Sequence, residues 1–194
     1  MKSTYTVPYR RKREGKTDYQ TRLKLLSSRQ PRIVVRKSLK HVQLQVIDYS
    51  PQGDRVLLTA HSRELAKFGW KGDNGNTPAA YLVGLLLGNK AKKAKVLSGI
   101  ADIGMQTSVK GSAVYAALKG AVDGGLQIPL SKEIVPAAAR LKGEHIAQWA
   151  KTLKAKNPVQ YERLFAKYLK NKLQPEDLPA HIEQVRQKIM GGTA

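Results

Sequence analysis

The chain has 194 residues, with 35 Lys and Arg against 14 Asp and Glu, a formal charge of +21, and no cysteine. The missing thiols exclude disulfides, thiolate zinc sites, iron–sulfur clusters and cysteine nucleophiles. Hydrophobic residues at 41% suffice for a core, and a charge of +21 makes physical sense beside a polyanion.

No apolar run reaches the roughly 18 residues of a membrane span, and the basic N-terminus has no apolar segment behind it. A soluble intracellular protein with no secretory signal and no membrane partner is therefore expected. The four histidines, His41, His61, His145 and His181, are too scattered to suggest a metal site, and no cofactor is expected.

The charge is uneven. Residues 1–40 hold 13 cations and two acids, a net +11, whereas 41–150 and 151–194 carry +5 each. The densest piece is Tyr9-Arg10-Arg11-Lys12-Arg13-Glu14-Gly15-Lys16. Such a run is either a solvated tail or localisation signal, or an arm that contacts phosphates. Tyr5, Tyr9 and Tyr19 are interleaved with it, to stack on unpaired bases or to dock the arm on its own body.

In chain order, residues 1–16 read as an extended arm. Thr17-Asp18 opens a helix, with Tyr19, Leu23 and Leu26 on one face and Arg22 and Lys24 pointing elsewhere. Pro31 ends it. Strands follow over Arg32 to Lys37 and His41 to Asp48. The Pro51–Gly53 turn leads to a third strand from Arg55 to Ala60, giving an antiparallel meander.

Thr77 as cap and Pro78 at the first helical position open a helix from Ala79 to about Ala94. Its terminal lysines suit the negative end of the helix dipole. Val96 to Ala101 is a candidate fourth strand, reached by a crossover into a parallel neighbour. A helix over Ser112 to Val122 and a short last strand, Leu126 to Ile128, complete the core. Three further helices are expected around Glu144–Lys154, Pro158–Leu173 and Ile182–Ile189.

The expected fold class is thus α/β, a mixed sheet in βββ-α-β-α-β order similar to the ribonuclease-H-like arrangement. The parts are a basic arm and short helix over 1–31, a core over 32–128 and a helical extension over 129–194. Gly84 and Gly88 lie inside the long helix and read as close packing. The nucleotide P-loop motif and the nucleophile elbow are both missing. Nucleases of the ribonuclease-H-like fold hold two metal ions with clustered acids, so Asp48, Asp102 and Asp123 are the candidates for a metal-dependent nuclease. The favoured alternative is that Asp48 ends a strand while Asp102 and Asp123 cap turns or bind the arm, because a metal cluster usually needs three or four convergent acids and residues 41–150 hold only eight.

Several motifs occur in a familiar order: Tyr9 to Tyr19, Pro31 to Ser38, Val46-Ile47-Asp48-Tyr49, Asn76 to Gly84, Ile100 to Gly104, Leu118 to Leu126, Ile128-Pro129 and Gly143 to Ile146. Together they resemble the archaeal and eukaryotic-type ribosomal protein eighteen of the large subunit, over roughly residues 5–150. Members often have His after the Ile-Pro pair and an aromatic before the next Pro; this chain has Leu130 and Val135.

The resemblance implies a non-catalytic protein that clamps 5S rRNA in the central protuberance. Its implied neighbours are the large-subunit rRNA and other ribosomal proteins, including another 5S-binding protein. The residues expected to bind RNA are Arg10, Arg11, Lys12, Arg13 and Lys16 on phosphates, and Tyr9 and Tyr19 as stacking or anchoring rings. Arg22, Lys24, Arg36, Lys37 and His41 extend the basic surface onto the body.

Overall fold

A computed structural model describes residues 6–191. Tyr5, one of the arm tyrosines, lies outside the described residues. The arm is not extended throughout. Arg10–Arg13 form a single helical turn, α1, and Tyr9 O accepts the amides of Lys12 and Arg13 at 2.9 and 3.1 Å. Gly15 at φ 62° then reverses the chain, and Lys16 N–H returns to Arg11 O at 2.9 Å. A left-handed glycine makes that reversal cheap, which is why the run folds back on itself.

Helix α2, Tyr19–Leu26, starts where expected. The Asp18 carboxylate accepts the amides of Gln20 and Thr21 at 2.9 and 3.3 Å. Its expected apolar face holds only in part: Tyr19 and Leu26 are half-buried, but Leu23 is 71% exposed and Arg22 points inward. The Arg22–Asp54 ion pair ties the helix to the body beside these half-buried side chains.

Strands β1 (Arg32–Lys37), β2 (Val42–Asp48) and β3 (Arg55–His61) form the antiparallel meander, with a bulge between Val46 and Ile47. Strand β4, Ile100–Asp102, lies parallel to β1, giving the order β3-β2-β1-β4. Alternation sends Ile33, Val35, Leu44 and Val46, all 0% exposed, into the core. The opposite face carries Arg32, Val34 and Arg36 opposite Ile47, Gln45 and Gln43.

Between β3 and the long helix runs a 3-10 segment, Ser62–Phe68, that periodicity does not reveal. Helix α3, Thr77–Lys93, is capped by Asn76, whose side chain accepts the Ala79 amide at 2.8 Å; Thr77 is already inside the helix. It ends with Lys95 at φ 59°, as Lys95 N–H donates to Lys92 O and Val96 N–H to Ala91 O. That closure uses up the start of the expected fourth strand, so β4 begins only at Ile100.

Helix α4, Ala113–Asp123, packs directly on α3. A Cβ on Gly84 would overlap the Ala117 carbonyl, and one on Gly120 the Tyr81 carbonyl. The expected last strand does not join the sheet. Gln127 makes one isolated bridge to Ser98, between Gly125 at φ 111° and Pro129, which has no N–H to extend a ladder. Among the described residues the sheet has four strands, and the ribonuclease-H-like order is not completed.

Helices α5 (Ala138–Leu141), α6 (Glu144–Lys156), α7 (Pro158–Lys170) and α8 (Leu178–Gly191) follow. Their buried residues, including Ala150, Phe165, Tyr168 and Ile182, belong to the same hydrophobic cluster as the sheet. Trp149 shares helical spacing with the inward Ala150 and Leu153 of α6, yet is 55% exposed.

Candidate nucleic-acid interface

The face of the sheet away from α3 and α4 meets the N-terminal segment across a cleft of about 1070 Å³. Val34, Gln45 and Ile47 line it from the sheet, Arg11, Lys16, Tyr19 and Arg22 from the N-terminal segment, and Arg36 and Lys37 from the end of β1. Met105 and Gln106 close the side beyond β4, and Gln106 Nε2 is anchored on Val35 O at 2.7 Å.

An ion network fixes this geometry. The Arg22 guanidinium donates twice to Asp54, Nη1 to Oδ2 at 2.8 Å and Nη2 to Oδ1 at 2.7 Å. Arg32, with a side chain only 4% exposed, donates to Asp54 at 2.6 Å and to Asp102 at 2.8 Å. Asp54 thus ties α2, β1 and the start of β3 together. A paired fork on a carboxylate is directional as well as strong. The Arg22 hydrogen bond, aided by Arg32, holds the Asp54 carboxyl below the usual range against the opposing effect of burial.

A lowered carboxylate stabilises the fold above its ordinary value of about 4, and that contribution is lost as pH falls through the lowered value. Asp54→Asn should cost about 1–3 kcal/mol, because Arg32 stays buried with one partner fewer. Hydrogen exchange should accelerate over Tyr19–Leu26 in this variant at neutral pH, and in the native protein only under strong acid. Unchanged exchange in the variant would remove Asp54 as the clamp.

The expected RNA-binding residues divide by surroundings. Arg11 donates through Nε to Thr17 Oγ1 at 2.9 Å and makes no ion pair among the described residues. The same freedom from ion pairs holds for Lys12, Arg13, Lys24, Arg36 and Lys37, all exposed. Arg10 and Lys16 share Glu14 at 3.7 and 2.8 Å. Arg22 is committed to Asp54. The Tyr9 and Tyr19 rings lie 5.2 Å apart, which docks the arm on α2 while Tyr9 stays 73% exposed. His41 is not in the cleft; its Nδ1 lies 3.0 Å from Ser62 Oγ and its ring 5.0 Å from His61. Burial, then His41 and Arg63, push the His61 imidazole down.

Sequence reading missed Arg32, Asp54 and Gln106, because their partners lie 22 to 71 residues away in the chain. The available signal was an Arg directly before the apolar run Ile33-Val34-Val35 of β1. The three candidate nuclease carboxylates do not converge. Asp48 accepts the Tyr49 amide, Asp102 holds Arg32 and the Gly104 amide, and Asp123 accepts from Tyr81 and Lys119. Burial, then Asp123, raises the Tyr81 phenol to about 12, so it remains a donor. Among the described residues no acid or histidine group is arranged to hold a metal ion.

A compact α/β body with a cationic cleft and an exposed aromatic beside it has the chemistry of an RNA-binding protein. A family model for the ribosomal large subunit proteins 60S L5 and 50S L18 matches residues 3–101 and 89–131. The chain belongs to that family, as a large-subunit ribosomal protein of the L18 type. Membership implies a structural, non-enzymatic role in the ribosome, with rRNA and ribosomal proteins as partners. The match spans the arm, the sheet, α3 and α4, and ends before α5. Among the described residues, no helix is long and apolar enough to cross a membrane.

Proposed function

We propose that the cleft binds 5S rRNA and that the protein anchors this RNA in the central protuberance of the cytoplasmic ribosome. Its neighbours there are large-subunit rRNA and ribosomal proteins, including a second 5S-binding protein. The observation that carries this reading is the division of labour among the cations. Arg22 and Arg32 are neutralised by Asp54 and Asp102 and hold the frame, so the uncommitted Arg11, Lys12, Arg13, Arg36 and Lys37 stand beside a rigid cleft.

A fixed frame suits structured RNA, which is recognised by shape and phosphates, with unpaired bases taken up on aromatic rings. Tyr9, 73% exposed, is the ring the arm offers for this. Lys24 and His41 extend the basic surface beyond the cleft, while Arg22 acts by aiming the arm.

Chemical footprinting of 5S rRNA, with and without the protein, tests the reading. One contiguous protected region is expected; protection spread evenly along the RNA would contradict it. No magnesium-dependent RNA cleavage is expected. Asp48→Asn and Asp123→Asn should only lower stability, by about 0.5–2 kcal/mol each, Asp48 through its hydrogen bond from the Tyr49 amide and Asp123 through those from Tyr81 and Lys119. Reproducible cleavage abolished by these substitutions would restore the nuclease.

A further inference from the structure

Strand β4 stops one rung short of the cleft rim. It pairs with β1 only at Arg32, Ile33 and Val34. Ile100 N–H donates to Pro31 O at 2.9 Å, and along a parallel ladder the bonds to one edge recur at every second residue. The next acceptors on β1 are therefore Ile33 O and Val35 O, and the donors due to meet them are the amides of Asp102 and Gly104. The last of these is diverted. Asp102 Oδ1 takes the Gly104 amide at 2.9 Å, and Gly104 at φ 61° turns the chain off the sheet.

Val35, at 0% exposure, is thus left with a carbonyl that receives no backbone donor from β4. A buried carbonyl without a partner destabilises the fold by its lost hydration. Gln106 supplies the missing rung. Its Nε2 donates to Val35 O at 2.7 Å and to Ile103 O at 3.2 Å, so one carboxamide joins β1 to the turn after β4. The Gln106 backbone N–H also closes on Ile103 O, at 3.3 Å. Two donors on one amide meet two carbonyls, and neither a carboxylate nor an aliphatic side chain can replace them.

Arg36 and Lys37, the exposed cations that the end of β1 contributes to the cleft, follow Val35 directly. On one edge their backbone is held by β2, where Arg36 pairs with Gln43 and Lys37 with Val42. On the other edge, past the end of β4, the anchor is Gln106.

We propose that Gln106 is a positioning residue for the cleft: by completing the rung that β4 lacks, it holds the end of β1 and sets how Arg36 and Lys37 meet the RNA. This rests on the assignment of 5S rRNA to the cleft. Gln106 touches no phosphate in this role. It governs selectivity, because cations on a loose strand end still attract any polyanion but no longer match the phosphate spacing of one.

The test compares the full-length native protein with Gln106→Leu and with Gln106→Asn, which keeps the amide but shortens it by one methylene. Met105→Ala, on the same turn but outside these hydrogen bonds, is the control. Thermal melting first verifies that all three fold. Without RNA, hydrogen exchange at the Arg36 amide should accelerate about fivefold or more in both Gln106 variants and stay native in the control.

With RNA, both Gln106 variants should lose about fivefold in affinity for 5S rRNA, keep their affinity for an unrelated RNA of equal length, and keep the native log–log salt slope. R36Q/K37Q, which removes two phosphate contacts, should instead flatten the slope by about 1.5 on both RNAs. Native exchange at Arg36, or an undiminished preference for 5S rRNA, in both Gln106 variants would overturn the positioning role, as would a flattened slope. Native 5S binding and slope in R36Q/K37Q would overturn the cleft assignment, on which the exchange result without RNA does not depend.

Discussion

Gly84→Ala should unfold the protein or leave it barely folded. The added methyl group overlaps the carbonyl oxygen of Ala117 and comes within 2.8 Å of the Ala121 nitrogen, both on the backbone of α4. A backbone cannot rotate away as a side chain does, so α3 and α4 must separate. Both lie in the centre of the core, where Leu82, Leu85, Leu87 and Leu118 are at most 1% exposed. Overpacking there costs about 3 kcal/mol or more, well above the roughly 1 kcal/mol that Ala gains over Gly in a helix. Gly120→Ala meets the Tyr81 carbonyl from the other side and should behave alike. Gly104→Ala is the control: nothing lies within 4 Å, and only its φ of +61° is strained, for about 1 kcal/mol. Equal melting temperatures for Gly84→Ala and the native protein would refute the close crossing.

The second large effect concerns RNA. Replacing Arg11, Lys12, Arg13, Arg36 and Lys37 by Gln should flatten the log–log salt dependence of 5S binding by about 3.5–4.5. Over a fourfold rise in salt that is a change of about 100- to 500-fold in how far affinity falls. The body should melt as before, because none of the five is buried or ion-paired among the described residues. Arg22→Gln should act differently, loosening α2 and blurring the preference for 5S rRNA over other RNA of equal length. An unchanged slope in the five-fold variant would mean that phosphates are met elsewhere.

The reading from sequence succeeded where the signal is local. Alternation over Val42–Val46, the Pro51–Gly53 turn and the glycines of α3 each state their structural role within a few residues. Asp18 declares itself as a cap in the same way. Reading failed where the outcome depends on residues far apart. Leu126–Ile128 has strand composition, but only a neighbour already in place could have extended it, and Ser98 alone is there. Leu23 fits an apolar face by spacing, yet the α2 surface that meets the body is decided by Asp54, 32 residues from Arg22.

The basic character of the site was visible as a charge run, whereas its shape was not. Thirteen cations in the first 40 residues look alike in sequence. Only their carboxylate partners separate those that hold the frame, Arg22 and Arg32, from those left for a ligand.

Ultraviolet crosslinking of the full-length protein to 5S rRNA, with the attached peptides mapped by mass spectrometry, tests the central claim most directly. Crosslinks should concentrate on Tyr9–Tyr19 and on Arg36 and Lys37, the two sides of the cleft, and should disappear at high salt. Crosslinks confined to α6–α8, with none in those two segments, would contradict the account.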